Sequence, residues 1–318
     1  MGLICVAAAK GSPGVTTTAL ALGALWPRPV LVAECDSAGA DIPLRMATDD
    51  GGVVDPDRGL LSLAAAGRKG LHSDLVLAHS QRVLGGLEVL VGPRVPEQAA
   101  GLTNMWPMLG PALDGIQGHD VIADCGRIGV TTPQNVLLRS ARLLILVCSA
   151  EPSAVVHLRE RLLTLAPTLD PGSAIGTPIA VAVVATPKAR DAVSQVRESL
   201  ERTEVPLRAV WHLADDAKGA KFFRGQGLGR ADKTYLVRTA RIVTDEAARI
   251  VEPFFEPLPE FADPPVDSAQ TAWGDFSFAP ITAGPGDHRS ADNGAMTAAP
   301  DADPPTAYRP PPPSGAAQ

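Results

Sequence analysis

The sequence predicts a doubly wound α/β domain, a mostly parallel sheet with helices on both faces, followed by a disordered C-terminal tail. Three observations predict it. Short runs of small and branched apolar residues recur without polar alternation, as in LICVAA, PVLVAE, DVIAD and LLILVC. Strands that read this way are covered on both faces, as in parallel sheets. Segments with helical spacing separate these runs, and such alternation calls for crossover helices. Beyond Pro253 the composition changes sharply: residues 256–318 hold 13 of the 30 prolines and no lysine.

Taken in order, residues 3–9 form a central strand. A glycine turn at 10–14 leads into a helix over 15–25, closed by Trp26-Pro27. Residues 29–34 are a second buried strand, ending in the small-residue loop 35–41. A helical patch spans 60–68, and short strands at 82–84 and 87–91 flank Gly85-Gly86. A helix covers 96–116. The strand 120–124 ends in an aspartate. The rest reads as helix 132–141, strand 143–148, helix 151–165 with Pro152 in its first turn, strand 178–184, a charged helix 191–202, strand 205–211, and helices 214–223 and 233–251. No internal repeat is visible.

The 318 residues suffice for one large α/β domain, and the 45% apolar content supports a core. With only 4% aromatics, that core is built from Ala, Val and Leu. The net charge of −7 sits in the tail, where nine acidic residues face Arg289 and Arg309. Residues 1–255 balance 26 acidic against 26 basic side chains, so no global footprint points to nucleic acid. Arg238, Arg241 and Arg249 on the last helix, with Arg159 and Arg161 on an earlier one, form either a basic face for non-specific DNA or an ordinary solvated surface. His157 and His212 read as packed histidines, because no His/Cys/Glu spacing around them suits a metal.

The four cysteines form no CxxC pair and each lies in or beside an apolar run. They read as reduced core thiols of a cytoplasmic protein. Cys35 and Cys125 each adjoin an aspartate, which leaves a redox role as the alternative. No apolar run approaches the ~18 residues of a membrane span, and no charged stretch precedes the first apolar run, so no signal peptide is expected. The tail, 256–318, lacks the apolar surface to offset the entropy of ordering. Its one island is Trp273, Phe276 and Phe278 within residues 273–278. This segment either is a chance cluster or docks weakly on the domain, 1–255, or it binds a protein partner as a linear motif.

Two places carry candidate chemistry. Gly11 and Gly14 permit positive φ, so the backbone N–H groups of Gly11, Ser12, Gly14, Val15, Thr16 and Thr17 can converge on phosphate oxygens. The following helix adds its positive end, and Thr16 stands where a magnesium-binding hydroxyl belongs. The competing reading is a strand–helix turn with no ligand. The second place is the pair Asp36 and Asp124, each ending a strand at the sheet edge where ligands bind. They either cap the next turn or flank a phosphate-bound magnesium, which needs one or two carboxylates and several waters. In the second case Asp36 orients a water and Asp124 holds the metal through a water.

On these residues the chain resembles the MinD/ParA-type ATPases. KGSPGVTTTALALGA is similar to their deviant Walker A motif, KGGxGKT/S, with Lys10 at the signature lysine. LVAECDSAGADI resembles the motif in which an Asp-x-Asp ends strand two; Glu34 replaces the first aspartate and Asp36 matches the second. DVIADCGR resembles the Walker B and switch region, with Asp124 as the metal-side carboxylate and Gly126 in the switch turn. VWHLADDAKGAKFFRGQ is similar to the family's late strand–helix segment. The resemblance covers residues 1–252, and actinobacterial members associated with chromosome partitioning or pilus assembly look most similar. It implies a P-loop NTPase fold, ATP and magnesium as cofactors, and a homodimer in which Lys10 reaches the partner's phosphates. It also implies a switch that positions or recruits a large assembly at the chromosome, septum or pilus/secretion machinery.

The departures are as specific as the matches. Val15 replaces the in-loop lysine. A charge-assisted hydrogen bond is worth about 1.5–3 kcal/mol, so phosphate affinity drops roughly ten- to a hundredfold and hydrolysis is slow. A non-hydrolysing interaction scaffold is the alternative. No asparagine follows the strand at 178–184 to read adenine. The acidic tail stands where MinD carries a basic membrane helix, so direct membrane insertion is not expected.

Overall fold

The computed structural model describes residues 2–11, 13–227 and 230–252. Ser12 and the tail 256–318, including Trp273 and Phe278, lie outside the described residues. Among the described residues one sheet holds β1 (Leu3–Ala8), β2 (Val30–Glu34), β3 (Gln81–Val83), β4 (Leu87–Leu90), β5 (Asp120–Arg127), β6 (Leu143–Ser149), β7 (Ile179–Ala185) and β8 (Leu207–Ala214). Their order is β3-β4-β2-β5-β1-β6-β7-β8. Every neighbouring pair is parallel except β3 and β4. That exception is a hairpin through Gly85 and Gly86, whose φ values of 91° and 80° suit a tight turn that most residues resist.

The helices are α1 (Val15–Leu25), α2 (Ile42–Arg45), α3 (Leu60–Ala66), α4 (Ser73–Ala78), α5 (Pro96–Gly101), α6 (Trp106–Asp114), α7 (Pro152–Leu169), α8 (Arg190–Glu201), α9 (Ala217–Ala220) and α10 (Tyr235–Ile250). They explain why the strands lack alternation. In β1, Leu3, Cys5 and Ala7 join a core shared with α3 to α8, while Ile4, Val6 and Ala8 join a second core shared with α1 and α10. All six side chains are fully buried. A strand with two covered faces has no face left for polar residues.

Several expectations are corrected. The helix expected over 96–116 is two helices, because Pro107 suits the first turn of a new helix better than the interior of a long one. Residues 133–139 form a 3-10 helix rather than an α-helix. Ala214 completes β8, and α9 starts only after Asp216, whose carboxylate accepts from the Lys218 and Gly219 N–H groups. The combined basic face does not exist. Arg159 and Arg161 ride on α7 and Arg238, Arg241 and Arg249 on α10, and these helices pack on opposite faces of the sheet. Among the described residues no helix is long and apolar enough to cross a membrane. All four cysteines are free and buried.

The amino edge of the sheet is closed by Asp120. Its Oδ1 accepts from the Gly2 N–H at 2.9 Å, and its Oδ2 accepts from Trp26 Nε1 at 2.8 Å and Arg28 Nε at 2.7 Å. The carboxylate is fully buried yet both oxygens are engaged, as a buried charge requires.

Candidate functional site

At the carboxyl edge, β1 lies between β5 and β6 and delivers the loop 9–14 to the point where the chain winds off in two directions. Open α/β sheets bind ligands at such a point. Gly11 takes φ 75° and Gly14 φ 90°. Gly14 caps α1 with no side chain over the first turn, so the helix presents bare N–H groups there. Thr18 anchors the turn, its hydroxyl and N–H both donating to the Gly14 carbonyl at 2.9 and 2.8 Å. The glycine conformations and the helix start are thus those a phosphate cradle requires.

The side chains around the loop divide. Val15 is only 7% exposed and packs into the core under α1, so this position presents no cation to the loop. Lys10 is exposed, with Nζ 2.8 Å from Nε2 of the half-buried His157 on α7. Thr16 is half-buried, and Thr17 is buried with its hydroxyl accepting from Arg45 Nη1 at 3.4 Å. A cleft opens beside Gly14 and Thr17, walled by Val184, Leu213, Asp215 and Arg224. The other histidine, His212, is half-buried with Nε2 3.3 Å from the Ala185 carbonyl.

Asp124 is fully buried. Its Oδ1 accepts from the Gly126 N–H at 3.0 Å, whereas its Oδ2 makes no hydrogen bond of regular geometry, although the Thr16 hydroxyl lies near enough to favour the ionised carboxylate. Burial pushes its carboxyl up to about 6, against the pull of the nearby Thr16 hydroxyl and the Gly126 N–H. A buried carboxylate oxygen without a regular hydrogen bond is unfavourable. Asp36 comes to the same spot from β2. Its Oδ1 accepts from the Ala38 N–H at 2.8 Å, and burial raises its carboxyl as well. Gly126, at φ 56°, makes the approach possible: a Cβ there would stand 1.9 Å from Asp36 Oδ2.

Thr16, Asp36 and Asp124 therefore offer an all-oxygen donor set beside the glycine loop and the uncapped start of α1. Among the described residues no three His, Cys, Asp or Glu side chains gather as a protein-only metal site. Together these features fit magnesium, which takes one or two carboxylates and completes its shell with water and phosphate.

Two residues carry more than sequence reasoning assigned them. Glu34, seen only as a replaced aspartate, is a buried anchor. Its Oε1 accepts from the Asp41 and Ile42 N–H groups at 2.5 and 2.9 Å, and its Oε2 from the Gly92 N–H at 3.3 Å. Burial nevertheless pushes its carboxyl up to about 7. Arg45 was missed because α2 is a single turn with no periodicity to detect. The redox reading of Cys35 finds no support, since burial raises its thiol well above the ordinary range and thiolate character is suppressed.

The fold recurs in solved structures. A ParA family ATPase from Chlorobium tepidum TLS superposes with a TM-score of 0.58 at 13% identity, over 76% of this chain and 97% of its own. The cell division ATPase MinD of Pyrococcus furiosus gives 0.59 at 18% identity, over 79% and 100%. The fold is that of the MinD/ParA-like P-loop ATPases. Cobyrinic acid a,c-diamide synthase from Mycobacterium smegmatis, solved with an ATP analogue and magnesium, gives 0.56 at 20% identity, over 78% and 94%. A cell division ATPase and a synthase share this scaffold, so it defines the architecture and not the reaction. No family model and no curated protein matches the sequence.

Proposed function

We propose that this chain is a MinD/ParA-type switch that binds ATP with magnesium, dimerises in response, and positions or recruits a large assembly in the cytoplasm, with slow hydrolysis. The observation that carries this reading is the fully buried Asp124 carboxylate, grouped with Thr16 and Asp36 and with an Oδ2 that makes no regular hydrogen bond, beside the bare start of α1. ATP analogue and magnesium bound to the M. smegmatis synthase of the same fold supply the ligand class. The backbone of residues 11–17, Ser12 included, holds the phosphates; Thr16, Asp124 and Asp36 hold the metal. Magnesium, when bound, neutralises charge on the transferring phosphoryl group. Asp36 orients a water near the Gly126 turn. Lys10, exposed and lightly held by His157, is free to leave α7 for a partner subunit's phosphates.

Val15 favours a second reading, a nucleotide-binding scaffold that does not hydrolyse. Without a cation at that position, the loop loses transition-state stabilisation before it loses binding. Calorimetric titration with ATP and magnesium tests the shared premise, and no binding heat defeats both readings. Phosphate release by wild type and Asp36→Ala then separates them. The switch predicts a slow rate abolished by the substitution; equal release from both leaves the scaffold. Light scattering with and without ATP tests dimerisation. Deleting 256–318 is expected to spare nucleotide binding and abolish capture of a protein partner through residues 273–278. Non-specific DNA binding, carried by one arginine face at most, is expected to be weak and salt-sensitive.

A further inference from the structure

The loop lacks its cation, and the structure places an arginine beside it. Arg45 ends α2, where Nη1 donates to Thr17 Oγ1 at 3.4 Å and Nη2 pairs with Asp41 Oδ2. The side chain is 24% exposed, so its charge acts in a partly desolvated setting. Two contacts fix its origin. Buried Glu34 accepts from the Asp41 and Ile42 N–H groups and pins the start of α2. The Arg45 carbonyl abuts Gly225, where φ is 65° and a Cβ would stand 2.5 Å from that oxygen. The guanidinium is close enough to Asp124 to favour its ionised form. Arg224 also walls the cleft, but it is exposed and its charge is screened.

Resting on the nucleotide-binding reading of the loop, we propose that Arg45 supplies the cation missing at Val15, contacting the polyphosphate of a bound nucleoside triphosphate beside Thr17. Two guanidinium nitrogens are engaged with Thr17 and Asp41, and the five-donor fork retains N–H groups for phosphate oxygens. Asp41 holds the side chain at the loop, and the phosphate then shares it. The compensation comes from a neighbouring element: the charge moves from the first residue of α1 to the last residue of α2.

The experiment is calorimetric titration of the full chain with ATP and magnesium, using wild type, Arg45→Gln, Arg45→Lys, Asp41→Asn, and Arg45→Gln combined with Val15→Lys. Arg45→Gln is expected to weaken binding roughly ten- to a hundredfold, with Arg45→Lys in between. Asp41→Asn removes the competing charge while its amide oxygen still accepts from the guanidinium and keeps it at the loop, so affinity is expected to hold or rise. Val15→Lys in the Arg45→Gln background is expected to restore affinity. Unchanged affinity in Arg45→Gln overturns the role of Arg45 alone. Equal losses in Asp41→Asn and Arg45→Gln also overturn it, because the pair is then only structural. Failure of wild type to bind overturns the nucleotide reading itself, and this role with it. If thermal melting shows that Arg45→Gln does not fold, Arg45→Lys and Asp41→Asn decide by the same criteria.

Discussion

β5 carries two aspartates in opposite states, at its first residue and its fifth. Asp120, at the amino edge, is fully buried and spends both oxygens on the Gly2 N–H, Trp26 and Arg28. Asp124, four residues on toward the carboxyl edge, is just as buried but its Oδ2 makes no hydrogen bond of regular geometry. Burial alone therefore distinguishes nothing. The completed carboxylate ties the first strand, the end of α1 and β5 together. The incomplete one lies near the uncapped start of α1, where the proposed nucleotide and its metal would supply what the protein does not.

The largest expected effect lies at the amino edge. Asp120→Ala strands a partly buried guanidinium, an indole N–H and a backbone N–H, and is expected to destabilise the fold by about 3–5 kcal/mol in urea denaturation. Asp124→Asn removes an incompletely paired buried charge and is expected to leave stability unchanged or raised. If both substitutions cost the same, the contrast between the two ends is broken.

The next effect is a pH dependence of the ligand-free protein. Glu34, at about 7, and Asp124, at about 6, are held above their ordinary values of 4.5 and 3.8. The folded state therefore binds these protons more tightly than the unfolded state. Stability from these groups is fully present below pH ~4 and declines as pH rises through the folded values, by on the order of 2–3 kcal/mol for each. Glu34→Gln is expected to flatten that decline between roughly pH 4.5 and 7; an unaltered slope removes Glu34 as its source. Smaller still, Val15→Lys is expected to tighten ATP binding roughly tenfold or more, with the buried stem limiting the gain. Smallest, Lys10→Ala on an exposed side chain is expected to shift stability by less than about 0.5 kcal/mol; a larger shift in thermal melting means its contact with His157 holds structure.

The strands were legible because two-faced burial leaves its mark on composition: Leu3 to Ala8 contains no polar residue to misplace. The shape of the glycine turn was legible for a related reason. Gly11 and Gly14 do take the positive φ that motivated their assignment, and α1 starts and stops where the sequence puts it. Asp36 and Asp124 converge as expected, although β5 runs on to Arg127 rather than stopping at Asp124: Asp36 lies two residues past β2, the strand paired with β5, and approaches it at Gly126. Other features depend on contacts distant in sequence and left no local pattern. Asp120 reads like Asp124 until Trp26 and Arg28 fold against it. Arg45 lies on one turn of helix whose position is set by Glu34. The expected union of basic residues failed because sequence gives a helix its charges but not the face of the sheet on which it packs.

The central claim is that the Asp124 carboxylate serves a metal on a bound nucleotide. Its most direct test is calorimetric titration of ATP into wild type and Asp124→Asn, each with and without magnesium. The account predicts that wild type binds at least roughly tenfold more tightly with magnesium than without. It also predicts that Asp124→Asn, still folded, loses that difference. A wild type indifferent to magnesium, or a variant that keeps the full magnesium dependence, would contradict it.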